Sequence, residues 1–71
     1  MRIINVMAEL IEEQEAGYSA YCPDLDIYSQ GDDVEDALHN LQEACELHLE
    51  EVGPAGVRPV IRRELEMTIV E

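Results

Sequence analysis

The chain opens with a segment in which apolar and polar residues alternate over residues 3–12, and this period of two predicts a β-strand. One side of the predicted strand is apolar and carries Ile4, Val6, Ala8 and Leu10. The other side is half apolar, and its apolar members are Ile3, Met7 and Ile11. Because a solvated face does not need these residues, we expect a second copy of the chain to cover them in a twofold dimer or higher oligomer.

Two further strands are predicted after a hairpin turn. Gly17 ends the turn because glycine readily takes positive φ. Residues 18–22 suit a pleated surface, and Pro23 should end this strand because proline cannot donate to a strand ladder. A short third strand is predicted over residues 27–30 and ends at Gly31.

The strongest periodic pattern is helical and covers residues 33–52. At helical spacing, one apolar stripe contains Val34, Leu38, Leu41, Cys45, His48, Leu49 and Val52, flanked by Ala37 and Ala44. Asp33 is the predicted N-cap, and Gly53 with Pro54 is a typical stop signal. Leu47 lies off the stripe, which is ordinary for a single exposed leucine but also makes it a candidate partner contact.

The last segment alternates again and predicts a fourth strand over residues 64–71, with Leu65, Met67 and Ile69 pointing inward. The predicted order is therefore β-β-β-α-β. This order indicates an α+β fold in which one helix packs on one face of a small, mainly antiparallel sheet. A length of 71 residues leaves room for a single domain, residues 1–71.

Charge excludes several classes of function. The chain has 17 acidic residues against four basic ones, for a net charge of -13. All four basic residues are arginines: Arg2, Arg58, Arg62 and Arg63. We therefore expect no direct binding to nucleic acid or to an anionic membrane, whereas a basic protein is a favoured partner. A hydrophobic content of 46% argues against disorder, and no apolar run is long enough to span a membrane.

The residues that could carry chemistry form weak patterns. Cys22 and Cys45 permit one disulfide at most, and no secretion signal opens the chain, so we expect reduced thiols and a cytoplasmic location. His48 lies within the apolar stripe with only Cys45 at ligand spacing, which favours a packed histidine over a zinc site or a nucleophilic pair.

The sequence also contains an acidic stretch with some features of a calcium-binding loop. Four acidic residues have a spacing that superficially resembles such a loop: Asp24, Asp26, Asp32 and Glu35. Tyr28 and Ser29 stand where the motif needs a short oxygen ligand and a glycine. We therefore expect no metal, no cofactor and no enzymatic activity.

A series of motifs in fixed order runs from residue 17 to residue 50. The pattern G-x-x-A-x-x-P-[DE]-L matches Gly17, Ala20, Pro23, Asp24 and Leu25. The pattern S-x-G-[DS] matches Ser29, Gly31 and Asp32. The helical pattern that follows matches Ala37, Leu38, Leu41 and Ala44. In this order and spacing, about residues 3–52 resemble the HicB-like antitoxins of toxin–antitoxin pairs.

Departures from the family pattern are limited. Asp26 and Ile27 replace a common Pro-Gly, and Asp33 replaces the usual threonine N-cap. Many members carry a C-terminal DNA-binding module, but no basic recognition helix follows here, so a short form is expected.

The resemblance implies a partial ribonuclease-H-like fold without nuclease activity and mainly structural roles for the motif residues. It also implies a partner, a small basic toxin ribonuclease of the HicA type whose site the antitoxin covers. Tyrosine is enriched at interface hot spots. The candidate partner-binding residues are therefore two tyrosines, the two aspartates between them and the leucine that lies off the apolar stripe: Tyr21, Tyr28, Asp24, Asp26 and Leu47. The alternative function is a stand-alone regulatory or interaction module of the same fold without a toxin partner.

Overall fold

The computed structural model describes residues 3–70, so Arg2 and Glu71 lie outside the described part of the chain. Within residues 3–70 the elements are β1 (Glu9–Glu12), β2 (Tyr18–Cys22), β3 (Ile27–Gly31), α1 (Val34–Val52) and a 3-10 turn (Pro54–Gly56). The three strands form one antiparallel sheet in the order β1-β2-β3. This arrangement confirms an α+β fold in which a small antiparallel sheet is followed by one helix.

Strand pairing fixes which side chains share a face of the sheet. Ala20 lies opposite Leu10 on one side and Ser29 on the other, and all three face α1. Tyr21 lies between Glu9 and Tyr28, and these residues occupy the opposite, outer face. The predicted alternation of β1 and β2 is therefore confirmed where the two strands pair.

Strand β1 is shorter than the alternating pattern predicted, because residues 3–8 lie outside the sheet. The reason is the early end of the neighbouring strand: β2 stops at Cys22, and Pro23 has no N–H to continue the ladder. Residues before Glu9 therefore have no strand to pair with. Among them, the backbone N–H of Met7 donates instead to Asp24 Oδ2 at 2.9 Å.

Helix α1 has the predicted limits because its ends are capped locally. The backbone N–H of Asp36 donates to Asp33 Oδ1 at 2.8 Å, and the N–H of Asp32 donates to Asp36 Oδ2 at 2.9 Å. At the other end Gly53 has φ 71°, and its N–H donates to the Leu49 carbonyl oxygen at 2.8 Å. These contacts satisfy backbone groups that the helix itself leaves unpaired.

The core lies between α1 and the strands β2 and β3. Its buried members are Ala20, Cys22, Leu25, Ala37, Leu41 and Cys45. The helix approaches the sheet closely at Gly31, where an added Cβ would lie 2.7 Å from Ala37 Cα. Small residues at these positions let α1 pack on β3 without moving the backbone.

The predicted fourth strand is not formed over residues 64–70, the part of it that the structure describes. Leu65, Met67 and Ile69 are 79%, 78% and 82% exposed, so these apolar side chains are not buried against the rest of the same copy. Alternation of apolar and polar residues shows which side chains share a face of an extended segment, but it does not show which strand the segment pairs with. Within residues 3–70 of one chain, the order is therefore β-β-β-α, not β-β-β-α-β.

In the described part of the chain, no helix combines the length and the apolar character that a membrane crossing requires.

Candidate protein-interaction site

The outer face of the sheet carries a pair of stacked tyrosines. Tyr21 and Tyr28 are directly opposite each other on β2 and β3, with ring centroids 4.3 Å apart and an interplanar angle of 28°. Tyr28 is 70% exposed although its ring is held by this contact. We call the surface formed by Glu9, Tyr21, Asp26 and Tyr28 the tyrosine face.

The turn between β2 and β3 positions a carboxylate at one end of this pair. Asp26 has φ 57°, a left-handed conformation that aspartate tolerates better than most residues. The turn is closed by the Leu25 N–H, which donates to the Cys22 carbonyl oxygen at 3.3 Å. In this conformation Asp26 Oδ1 accepts a hydrogen bond from the Tyr21 hydroxyl at 2.9 Å.

Arg58 joins the C-terminal connector to the same turn. Its backbone N–H donates to the Asp24 carbonyl oxygen at 2.8 Å, and its Nε donates to the Pro23 carbonyl oxygen at 2.6 Å. Its Nη2 donates to the Tyr21 hydroxyl oxygen at 3.0 Å and lies 3.8 Å from Asp26 Oδ1. Tyr21 is thus held by a carboxylate and a guanidinium at once.

These neighbours determine the ionisation of Tyr21. The hydrogen bond to Asp26 raises the pKa of the phenol above its ordinary value of 10.0, with burial and the negative charge of Asp26 acting in the same direction. The Arg58 guanidinium opposes this pKa increase. The hydroxyl therefore remains a neutral hydrogen-bond donor at physiological pH.

The remaining candidate residues do not all meet at this face. Asp24 adjoins it in sequence, but its carboxylate accepts from Met7 and so holds the N-terminal segment. Leu47 is 64% exposed on α1, which packs on the other side of the sheet. The structure therefore brings together Tyr21, Asp26 and Tyr28, with Asp24 beside them and Leu47 apart.

Arg58 is the member of this site that sequence reasoning missed. In the sequence, Arg58 stands out only as one of four arginines. No local pattern identifies it, because its partners Pro23 and Tyr21 lie 35 and 37 positions away along the chain.

The motif residues have positions that suit structural roles. Gly17 has φ 81°, and an added Cβ would lie 2.7 Å from the Gly31 carbonyl oxygen. Pro23, like the core residues Ala20 and Leu25, is buried. Ser29 and Leu38 are half-buried, as is Ala44, while Asp32 contributes its N–H to the helix start. These contacts hold the sheet against α1.

The metal-ligating and thiol side chains of residues 3–70 are arranged as follows. No group of three or more His, Cys, Asp or Glu side chains there is arranged to hold a metal ion. Cys22 and Cys45 are buried free thiols, and burial together with Cys22 raises the pKa of Cys45 to about 11. A thiol of this kind is a poor nucleophile.

Comparison with known proteins gives one informative likeness. A UPF0150 protein of Synechocystis sp. is 40% identical over 65 residues, which cover 90% of this chain and 81% of that protein. No family model and no solved structure matches the chain. The resemblance to HicB-like antitoxins and to the ribonuclease-H-like fold therefore stays a prediction.

Proposed function

The chain belongs to the UPF0150 family, and we propose that it is a non-enzymatic, antitoxin-like inhibitor that binds and masks a small basic toxin ribonuclease of the HicA type. The observation that carries the proposal is the tyrosine face, an exposed aromatic pair on the outer surface of a strongly acidic protein. The motif resemblance supplies the class of partner.

The tyrosine face has the properties of an interface hot spot. Tyrosine offers a large contact area with few rotatable bonds, and such residues dominate many binding interfaces. Tyr21 is already fixed by Asp26 and Arg58, and Tyr28 stacks on it. Because little side-chain freedom remains to be lost, binding at this surface has a small entropic cost.

The charge of the molecule favours a basic partner. A net charge of -13 steers a cationic protein toward the chain and competes with RNA for a basic groove. Glu50 and Glu51 lie in the last turn of α1, which has no basic residue to complement the helix dipole. Acidic residues at this end destabilise the helix, so fold stability does not explain them.

The proposal locates the protein in the cytoplasm. The thiols of Cys22 and Cys45 are free and buried, which is compatible with a reducing compartment. A HicA-type ribonuclease acts on cellular RNA, so its inhibitor must be present in the same compartment.

Binding to the product of a neighbouring gene tests the proposal, provided that this product is a small basic protein. We expect Tyr28→Ala to weaken the complex by about tenfold or more, because it removes the exposed half of the tyrosine pair. Tyr28→Phe, which keeps the stacked ring, should bind nearly as well as the wild type. Isothermal titration calorimetry measures all three affinities.

Leu47→Ala is the matched control, since it removes an exposed apolar side chain from the other side of the molecule. We expect it to leave the affinity unchanged. If the purified pair does not associate, or if Tyr28→Ala binds like the wild type, the tyrosine face is not the inhibitory surface. Association with a partner that is not a ribonuclease would instead favour the stand-alone interaction module.

A further inference from the structure

An open groove runs beside α1, on the side where residues 3–8 lie. Its volume is about 1220 Å³. Cys22 of β2 and Leu25 of the turn after it line the groove, and the apolar stripe of α1 contributes Leu38, Leu41 and Leu49. The groove lies between α1, which packs on β2 and β3, and residues 3–8, which line its other side without forming a strand. Apolar surface of this kind is costly to leave in water.

The C-terminal segment, residues 64–70, carries apolar side chains that are exposed to solvent. Its inward residues Leu65, Met67 and Ile69 share one side and are all strongly exposed. The described chain is elongated, with extents of 52 × 29 × 15 Å. Its radius of gyration is 14.5 Å, whereas about 11 Å is usual for a compact chain of this length. The segment thus extends away from the domain that should bury it.

Strand β1 offers an edge on which such a segment can pair. It is hydrogen-bonded to β2 alone, so its other edge has free backbone groups. Four residues of β1 span about 13 Å, whereas seven residues of the C-terminal segment span about 23 Å. A segment paired with β1 therefore continues past Glu9, alongside residues 3–8 and the groove.

The C-terminal segment begins on the outer face of its own sheet, whereas the groove lies on the face that carries α1. Arg58 fixes the connector to Tyr21 on the outer face, and Arg62 contacts the Glu9 carboxylate on that same face. The groove opens on the face that carries α1. Two contacts on the outer face thus direct residues 64–70 away from the groove of the same copy.

The acidic rim of the groove is complementary in charge to the arginines that precede the C-terminal segment. The rim of the groove is acidic and includes Glu35, Glu46 and Glu50. The only pair of adjacent basic residues in the chain, Arg62 and Arg63, immediately precedes the segment. Arg63 forms no ion pair among residues 3–70, where its guanidinium donates to the Arg62 carbonyl oxygen at 3.0 Å. An incoming segment brings this cation to an acidic rim.

We propose that two copies of the chain exchange their C-terminal segments. Residues 64–70 of each copy add to the β1 edge of the other and place Leu65, Met67 and Ile69 in its groove. The contact is the same in both directions, which closes a twofold dimer and leaves no open site. A chain of 71 residues is only marginally stable by itself, and the surface buried in a dimer adds to its stability. The dimer requires no toxin, so it stands apart from the proposed function.

Sedimentation of the purified full chain, without any partner, tests the proposal. We expect a species of twice 8.0 kDa at micromolar concentration. Met67→Asp with Ile69→Asp should raise the dimer dissociation constant at least about 100-fold, because four charges then enter the two grooves. The control, Thr68→Asp with Val70→Asp, adds the same charge on the opposite side of the segment and should remain dimeric.

Far-ultraviolet circular dichroism must show an unchanged helical signal in both variants. Isotope-filtered nuclear Overhauser spectra of a mixed labelled and unlabelled sample then establish exchange, through contacts from Met67 of one copy to Leu38 or Leu49 of the other. A wild-type monomer overturns the proposal, and so does a dimer that survives the Met67 and Ile69 changes. Contacts found only within one copy also overturn it. None of these results depends on toxin binding, so the two proposals fail separately.

Discussion

Asp26 shows how much one residue contributes to the tyrosine face. Its left-handed backbone turns the chain between β2 and β3, and its carboxylate accepts the hydrogen bond that orients Tyr21. The side chain and the backbone conformation act together, since asparagine and aspartate are the residues that combine this turn with a nearby hydrogen bond.

Asp26→Asn separates these two contributions. Asparagine keeps the left-handed turn and removes the negative charge, so the pKa of Tyr21 should fall toward 10.0. A raised folded-state pKa stabilises the fold below the unfolded pKa, and this contribution disappears as pH rises through the folded pKa. The variant should therefore lack this contribution already at neutral pH, and its stability should fall less than that of the wild type as pH rises above 10.0.

Phenolate absorbance during an alkaline titration measures this pKa change. Asp24→Asn is the control, because the Asp24 carboxylate accepts from Met7 and not from a tyrosine. An identical titration curve for Asp26→Asn and the wild type would contradict the hydrogen bond described between Tyr21 and Asp26.

Cys45 should be unreactive while the fold is intact. Burial, reinforced by Cys22, raises its pKa to about 11, so the thiolate is scarce at mildly alkaline pH. Because the pKa is raised in the folded state, the stabilising effect is complete below the unfolded value of 9.0 and is lost as pH rises through about 11. Labelling by a disulfide reagent should require unfolding, and the urea-unfolded chain is the control. Rapid labelling of the native protein would show that this thiol is not buried.

At the scale of elements, the start of α1 depends on one side chain. Asp33→Ala removes the acceptor for the Asp36 N–H and should destabilise the protein by about 1 kcal/mol. For a domain of this size, that change lowers Tm by roughly 4–8 °C. Asp33→Ser, which retains a capping oxygen, should restore most of the loss. Equal melting temperatures for Asp33→Ala and the wild type would contradict the cap.

The elements that the sequence predicts well have local end signals. Gly17, Pro23 and Gly53 mark their boundaries by properties of their own backbones, and the structure places element ends beside each of them. The length of β1 was wrong because it depends on where the neighbouring strand stops. The fourth strand was wrong within one copy because alternation does not name the partner edge.

The same distinction between local sequence signals and long-range contacts applies to the candidate site. Tyr21 and Tyr28 follow from alternation once β2 and β3 are paired, so their shared face is predictable from the sequence. Arg58 is not, since its contacts join distant parts of the chain and have no local pattern. Long-range contacts of this type require the fold itself.

At the scale of the whole molecule, the same charge acts on two equilibria in opposite directions. Two copies at -13 repel each other, whereas the proposed basic toxin would be attracted to a copy. Raising the salt concentration from about 50 to about 500 mM shortens the range of both effects. We therefore expect salt to strengthen self-association and to slow association with the toxin.

Sedimentation and stopped-flow mixing measure these two salt effects. The neutral salt series is run at constant pH, so that only the ionic strength changes and the protonation of the titratable groups does not. If salt weakens self-association, the expectation is wrong, and pairing of Arg63 with the acidic rim outweighs the overall repulsion. If salt leaves the rate of toxin association unchanged, the net charge does not steer the encounter.

The most direct measurement of the central claim is inhibition of RNA cleavage. The purified chain is titrated into the proposed partner, a basic ribonuclease encoded by a neighbouring gene, and cleavage of a labelled RNA is followed. The account predicts that cleavage falls to background at a stoichiometric ratio, and that the chain alone leaves the RNA intact with Mg²⁺ or Mn²⁺ present. Full cleavage in the presence of excess chain, or cleavage by the chain itself, would contradict it.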